Sequence, residues 1–321
     1  MSNGLSEKSS GDLVSWILAA ITIFFWGITF VCTKTLLQSF SPLEILFIRY
    51  FLGYLFLWVL YPKRMSVRKG DNLLFAFAGL AGVTVYQFSE NIAISYTTAS
   101  NVSIIVAISP MWTALFLQLF LKSKEMNRWF VAGFIISIAG IALVSFNGEL
   151  SFGIHLKGDL IALGSAISWG LYSVFLSVLN RRGYHYIGSS RRMFFFALLF
   201  MLPLAAAGTF QSMNGATAET SSAFVQTILC DWSPAVNAAR FSDFRNIACL
   251  AFLGILASGF CFMAWNKACA GLGTVKATIG LYLIPVVTTV FAFFVLGETI
   301  SLMGAAGIIL TIAGLVISGQ K

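Results

Sequence analysis

Charged side chains are rare within the long apolar stretches of this chain, so the few that occur there are the first candidates for chemistry. An ionisable group at the centre of a membrane costs about 2.5–3.5 kcal/mol on insertion scales and therefore needs a partner or a function. Glu90 falls near the outer end of the third predicted span. It could carry a coupling proton or bind an amine of the substrate. The alternative is a rim residue or one half of a structural pair.

Three further charged residues lie near the outer ends of the first two predicted spans. Lys34 could pair with Glu90 or Glu44 and form part of an outer gate. Arg49 lies about 10 Å inside its span, counted from the start of the span at about 1.5 Å per residue. Because Glu44 precedes it on the same predicted helix, we expect Glu44 and Arg49 to form a structural pair.

Aromatic side chains supply an apolar face and often one hydrogen-bond donor, which suits the wall of a solute cavity. The candidates for such a wall are Trp26, Tyr86, Trp112, Tyr172, Trp265 and Tyr282. Packing is the alternative role for each. Asn101 and Lys276 are expected at opposite mouths of the cavity. Lys276 could attract an anionic substrate there, or could only extend towards the membrane surface.

Two prolines, Pro110 and Pro285, fall in the middle of predicted spans. Proline removes a backbone hydrogen bond and weakens a helix locally. Each is therefore expected either to act as a bending point when access switches or to give a fixed kink that shapes the cavity.

The sequence offers little for enzyme chemistry. It has no metal-ligand spacing, no glycine-rich phosphate loop and no nucleophile–histidine arrangement. Both histidines, His155 and His185, lie between apolar runs. We therefore predict that the protein is not an enzyme and holds no cofactor or metal. A membrane enzyme and a receptor without net transport are the alternatives.

The composition indicates a membrane protein. Of the 321 residues, 58% are hydrophobic and 10% are charged, against about 25% charged in soluble domains. A span needs about 20 apolar residues. Ten candidates result: 14–34, 42–62, 72–94, 98–121, 128–147, 158–179, 188–209, 246–269, 274–297 and 299–319. Each should be helical, since lipid cannot satisfy backbone groups.

The basic residues set the predicted orientation and argue against a nucleic-acid partner, because they cluster in short loops between apolar runs. The loops expected inside carry Lys63, Arg64, Arg68, Lys69, Lys122, Lys124, Arg128, Arg181, Arg182, Arg191 and Arg192, whereas those expected outside carry Lys157, Arg240 and Arg245. This asymmetry places both termini in the cytoplasm. The long segment 209–243 should then lie outside.

The two halves of the chain resemble each other. Shifting residues 76–116 by 175 positions superposes identical residues without a gap. The matches are Ala76/Ala251, Phe77/Phe252, Gly79/Gly254, Asn91/Asn266, Ala93/Ala268, Ile104/Ile279, Pro110/Pro285, Thr113/Thr288 and Phe116/Phe291. Trp26-Gly27 likewise matches Trp169-Gly170. Since five spans is an odd number, the second copy must enter the membrane inverted, which is a transporter architecture.

The predicted fold is therefore an all-α polytopic membrane protein. Its ten transmembrane helices form two inverted five-helix repeats, at 14–147 and 158–319.

Several segments together resemble the drug/metabolite transporter superfamily, and within it the EamA-type ten-span permeases. They are Trp26-Gly27, Ser41–Arg49 (SPLEILFIR), Tyr96–Pro110 (YTTASNVSIIVAISP), Gly273–Pro285 (GTVKATIGLYLIP) and Leu296-Gly297-Glu298. The resemblance implies a central cavity between spans one, three, four, six, eight and nine, with Arg49 outside it.

The resemblance also implies a permease of small metabolites such as amino acids or amphiphilic drug-like solutes, often acting as an exporter. We predict alternating access, with proton coupling as one option. The expected partners are a small-molecule substrate and the lipid bilayer, and the expected location is the cell (inner) membrane.

Overall fold

The computed structural model describes residues 3–124, 126–146, 156–217, 219, 221–296 and 301–320, and all regular structure among them is helical. We number the helices in chain order. They are α1 (Asn3–Leu36), α2 (Pro42–Leu60), α3 (Asp71–Tyr96), α4 (Ala99–Leu121), α5 (Arg128–Phe146), α6 (Leu156–Arg181), α7 (Tyr186–Met213), α8 (Ala223–Ile228), α9 (Pro234–Ser242), α10 (Phe244–Leu272), α11 (274–296) and α12 (Leu302–Ser318).

Eight of these helices are long and apolar enough to cross a bilayer: α1, α2, α3, α4, α6, α7, α10 and α11. Their apolar surface confirms a polytopic helical membrane protein. Shorter apolar helices cover Arg128–Gly140 in α5 and Leu302–Ser318 in α12, so the count of ten spans stays a prediction. The motif residues Gly297 and Glu298, the end of the first predicted repeat at 147, and His155 lie outside the described residues.

Four of the long helices depart from regular α geometry. α3 contains a π-helical segment at Leu80–Val85, and α10 contains one at Phe252–Phe260. α4 is interrupted at Ala107 and Ile108, directly before Ser109 and Pro110, and α11 tightens to a 3₁₀ turn at Gly280–Leu283 before Pro285. Both breaks fall where a proline clashes with the preceding helical turn. Whether they bend stays a prediction.

The helix ends define two faces of the bundle. The loop face carries the long segment between α7 and α10. The terminal face carries the connections 61–70 and 182–185, together with the end of α12. α7 continues to Met213, so the connection begins later than predicted.

The long connection on the loop face is ordered into α8 and α9 and is anchored to α2. Arg240 of α9 forms an ion pair with Glu44 at 2.9 Å, and the same carboxylate accepts the backbone N–H of Asp231 at 2.9 Å. Glu44 also closes a capping box with Ser41 at the start of α2. The buried Glu44 carboxylate thus caps the N-terminus of α2 and also holds the distant connection in place.

Helices α5 and α12 pack closely along faces of small residues. A Cβ added to Gly133 or Gly314 would overlap the opposite helix. Ser137 donates its hydroxyl to Thr311 O at 3.4 Å. Small residues permit this approach, and dispersion contacts then hold the pair together in lipid.

Candidate functional site

A small enclosed cavity lies in the centre of the bundle, between α1, α2, α3, α4, α6 and α11. About 20 Å³ of it can be reached by the centre of a water molecule, which is room for about one water. The polar and aromatic residues lining it are Trp26, Thr29, Phe30, Arg49, Tyr86, Gln87, Glu90, Ser103, Ser109 and Trp169. The cavity must widen before it can hold a solute.

Arg49 contributes the positive charge of this cavity and is 1% exposed. Its Nε donates to Ser258 Oγ on α10, and one terminal nitrogen donates to Gln87 Oε1 on α3, both at 2.6 Å. These bonds use two of the five N–H groups of the guanidinium. They fix its position while the side chain still faces the cavity, contrary to the expectation that it would lie outside.

Glu90 contributes the negative charge and is 2% exposed, so it lies inside the bundle and not on the rim. Its carboxylate interacts with the Tyr86 hydroxyl, one helical turn earlier, and with the Arg49 charge. Among the described residues, the ion pairs closer than 4.0 Å are Asp71–Arg182 and Glu44–Arg240. Arg49 and Glu90 therefore share a cavity without direct contact.

Aromatic rings form the apolar wall of the cavity. Trp26 on α1 meets Trp169 on α6 edge to face, with centroids 5.3 Å apart, and packs against Trp265 at 5.1 Å. Tyr86 lies 4.8 Å from Trp169. Such edge and tilted contacts suit the ring quadrupole and make a stiff wall.

Four of the other predicted wall residues lie outside the lining of this cavity. Tyr172 and Trp265 are fully buried beside it, in the same aromatic cluster. Tyr282 lies in a second apolar cluster with Phe134. Trp112 packs against Gly170 of α6. Of the six predicted aromatic residues, Trp26 and Tyr86 line the cavity directly.

The predicted pair of Glu44 with Arg49 is wrong. The partner of Glu44 is Arg240, and Arg49 binds Ser258 and Gln87. Residues three or four positions apart share a helix face, whereas five positions turn the second side chain away from the first.

Lys34 closes the end of α3 on the loop face. Its Nζ donates to the carbonyls of Ile94 and Thr97, both at 2.9 Å. Nearby, Asn101 of α4 donates to Asp159 of α6 at 2.7 Å and to Thr97 Oγ1 at 3.2 Å. These bonds join α1, α3, α4 and α6 across the loop face.

Lys276 lies on the opposite face of the bundle. It lines a cavity of about 340 Å³ with Arg181 and Asn180, between the end of α6 and the start of α11. Asn101 and Lys276 thus lie at opposite faces of the bundle. We call the cavity lined by Lys276 and Arg181 the basic vestibule.

Three functional candidates did not emerge from the sequence: Gln87, Ser258 and Trp169. Gln87 precedes Glu90 by three residues and so shares its helix face. Trp169 is the repeat counterpart of Trp26. These two relations could have identified Gln87 and Trp169 from the sequence. The role of Ser258 depends on the packing of α10 against α2, which no local pattern reveals.

Comparisons with known proteins identify the family of the chain. A profile of the EamA-like transporter family matches residues 14–146 and 156–320. An uncharacterized transporter of Archaeoglobus fulgidus is 27% identical over 310 residues, which is 95% of this chain and 97% of that protein. A probable terminal-alkyne amino-acid exporter of Streptantibioticus cattleyicolor is 25% identical over 254 residues, which is 79% of this chain and 75% of that protein.

A chain in a solved crystal structure shares the fold, with a TM-score of 0.65 at 17% identity, and the match covers 96% of this chain and 95% of the other. The sequence prediction of a transporter is confirmed. The protein is an integral membrane permease for a small solute and lies in the lipid bilayer. The chain belongs to the EamA-like transporter family.

Proposed function

We propose that this permease exports small zwitterionic metabolites, with amino acids as the leading class, by alternating access. The observation that carries the proposal is the relation of Arg49 and Glu90. They face one small cavity with opposite charges and do not touch each other.

A zwitterion fits this arrangement because it can satisfy both charges at once. A substrate carboxylate would meet the guanidinium of Arg49, and a substrate ammonium would meet Glu90 and the Tyr86 hydroxyl. The rings of Trp26 and Trp169 would contact the substrate side chain. The amino-acid exporter among the relatives supports the same class.

Alternating access follows from the proposed inverted repeat of 14–147 and 158–319. Equivalent asparagines of the two halves each donate to the second helix of their own half. Asn91 donates to Pro42 O at the start of α2, and Asn266 donates to Ser190 Oγ near the start of α7. The two π-helical segments also fall at matching positions. Two related halves around one cavity support two exchangeable conformations.

We place the protein in the cell (inner) membrane with both termini in the cytoplasm. The basic connections 61–70 and 182–185 support this orientation because cytoplasmic loops carry an excess of Lys and Arg. The terminal face is then internal and the loop face external. Export would begin at the vestibule around Lys276 and Arg181, where cationic side chains attract substrate carboxylates.

Glu90 is the proposed site of proton coupling. A proton arriving at its carboxylate from the external side would compete with the substrate ammonium and release the substrate. If Glu90 carries the proton, the transport that remains in Glu90→Gln should not respond to a pH gradient.

Uptake into proteoliposomes tests the proposal. Wild-type protein should exchange labelled amino acids, whereas Arg49→Gln and Glu90→Gln should reduce exchange at least about tenfold, since each charge-assisted contact is worth about 1.5–3 kcal/mol. Lys122→Gln is the matched control, because it removes a charge outside the cavity. Exchange of amphiphilic cations but not amino acids would contradict the proposed substrate class.

The same assay separates the permease from the other function classes. We propose that the protein is not an enzyme, needs no cofactor and binds no nucleic acid. Binding without flux would indicate a receptor, and recovery of a chemically altered substrate would indicate an enzyme. Either result would contradict the proposed function.

A further inference from the structure

A second cavity, of about 370 Å³, opens on the terminal face between α2 and α7, away from the solute cavity. Its lining includes Arg64, Arg191, Arg192, Tyr54, Trp58 and Phe195, and no acidic residue. Three cations beside three aromatic rings, at the level where α2 ends, need an explanation that solute transport does not supply.

Arg191 is held in place as the floor of this cavity. Its guanidinium carbon lies 3.8 Å from the ring centroid of Trp58, and its terminal nitrogens donate to Lys63 O at 2.7 Å and to Tyr61 O. Ordering an arginine by ring stacking and carbonyls, with no carboxylate within ion-pair distance in the described part of the chain, leaves its charge uncompensated.

The other two arginines add to that charge. Arg192 donates through Nε to Asn72 at 2.8 Å, which orients its guanidinium, and Arg64 is exposed at the rim. The carboxylate at the start of α3, Asp71, is engaged by Arg182 and Tyr184. The cavity is thus a preorganised site for an anion with several oxygen acceptors.

The start of α7 strengthens the attraction for an anion. His185 provides no side-chain cap, and Gly188 in the first turn lines the cavity. The N-terminus of a 28-residue helix carries about half a positive charge on its unpaired N–H groups.

Apolar rows lead from this basic cavity towards the centre of the membrane. On α7, Phe195 and Leu199 are both 48% exposed, and on α2 the half-buried rings of Trp58 and Tyr54 line the cavity itself. Side chains four positions apart share one helix face. The cavity is therefore cationic at one end and continues into an apolar surface. This arrangement matches the anionic headgroup and the acyl chains of a phospholipid.

We propose that the cavity binds the headgroup of an anionic phospholipid, whose phosphate contacts Arg64 and Arg192 above Arg191 while its acyl chains follow the apolar rows. Assignment to the cytoplasmic leaflet rests on the proposed orientation of the protein. The binding itself does not depend on that orientation or on solute transport.

Quenching of Trp58 fluorescence tests the proposal. The full chain would be reconstituted in phosphatidylcholine nanodiscs that contain increasing fractions of brominated phosphatidylglycerol or brominated phosphatidylcholine. Subtracting the signal of Trp58→Phe isolates Trp58 from the other tryptophans. We expect quenching by the anionic lipid at a much lower mole fraction than by the zwitterionic lipid.

Variants assign this preference to the arginines. The double variant Arg64→Gln/Arg192→Gln should lose about twenty-five-fold in relative affinity, at about fivefold per arginine. The control Lys122→Gln/Lys124→Gln removes the same charge from another loop of the terminal face and should keep the preference. Melting temperatures would establish that both variants fold.

Several outcomes would overturn the proposal. Equal quenching by the two lipids would contradict the proposal. Equal losses of relative affinity in the test and control variants would contradict it as well. Competition by inorganic phosphate at the affinity of the lipid would show a site for soluble phosphate. If the test variant does not fold, native mass spectrometry of the wild type must still show retention of phosphatidylglycerol over phosphatidylcholine.

Discussion

Trp26 on α1 donates its indole N–H to the carbonyl of Ala257, 3.0 Å away within the π-helical segment of α10. A π turn displaces carbonyls from their usual amide partners, so a side-chain donor can satisfy one. Ser168 on α6 makes the corresponding bond to Ala81 O at 2.8 Å, in the π-helical segment of α3. Each widened segment is therefore closed by a donor from the opposite half of the chain.

Replacing Trp26 with Phe should separate the hydrogen bond from the ring contacts. Leaving the buried Ala257 carbonyl without its donor should cost about 1–3 kcal/mol and lower the melting temperature measured in detergent. Trp16→Phe is the control, because Trp16 is 50% exposed. Equal melting temperatures for the two variants would show that the bond contributes nothing.

Ser168→Ala should have an effect of similar size, about 1–3 kcal/mol, since the Ala81 carbonyl likewise loses its side-chain donor. Combined with Trp26→Phe, its cost should add, because the two bonds involve different helices and share no partner. Differential scanning fluorimetry of the single and double variants checks this. A large excess in the double variant would mean that the two π-helical segments are coupled.

Glu44→Gln should be among the most destabilising polar substitutions. Arg240 is 8% exposed, and removal of one partner from a buried pair costs about 3–5 kcal/mol. Glu44→Gln/Arg240→Gln should recover part of this loss. Limited proteolysis of the connection between α7 and α10 would report its release, and Arg245→Gln, an exposed charge on the same face, is the control. Unchanged cleavage in Glu44→Gln would contradict the anchoring role.

Gly82→Ala should disturb the aromatic wall. An added Cβ would overlap the Tyr172 ring, whereas at Gly164 it would meet nothing within 4 Å. Gly164→Ala should be neutral or stabilise by up to about 1 kcal/mol through helix propensity. Melting temperature and exchange in proteoliposomes should both fall for Gly82→Ala. Equal behaviour of the two variants would show that Tyr172 has room to move.

The Cys32 and Cys249 thiols, on α1 and α10, interact near the loop face. We expect α1 and α10 to separate at the loop face when the cavity opens outwards. Oxidation with copper phenanthroline should therefore join the two thiols and arrest exchange. Dithiothreitol should restore exchange, and Cys249→Ser should be insensitive. Full exchange after complete cross-linking, measured by mass spectrometry of peptides, would exclude separation at this place.

The sequence predicted the membrane class and most helices because lipid imposes a simple rule on length and polarity. It also identified Glu90, since a carboxylate within an apolar span is conspicuous. The lining by Trp26 and Tyr86 was predicted as well. These inferences need composition and position along the chain, and nothing about which helices touch.

Partner identities could not be predicted in the same way. Arg49 and Ser258 are 209 positions apart, and Glu44 and Arg240 are 196 positions apart. Their contacts depend on the rotation of each helix in the bundle, which hydrophobicity leaves open when most faces are apolar. The π-helical segments were missed for a related reason: one extra residue in a turn leaves no mark in an apolar run.

The close packing of α5 and α12 has a consequence for biosynthesis. Ser137 and Thr311, which bond across this pair, are separated by 174 positions. Ribosomal synthesis delivers α5 to the membrane long before α12. The glycine-rich surface around Gly133 must meanwhile face lipid or a temporary neighbour. Its own partner arrives only after every other helix has been threaded, so nascent chains stalled before Leu302 should be the ones that insertion chaperones retain.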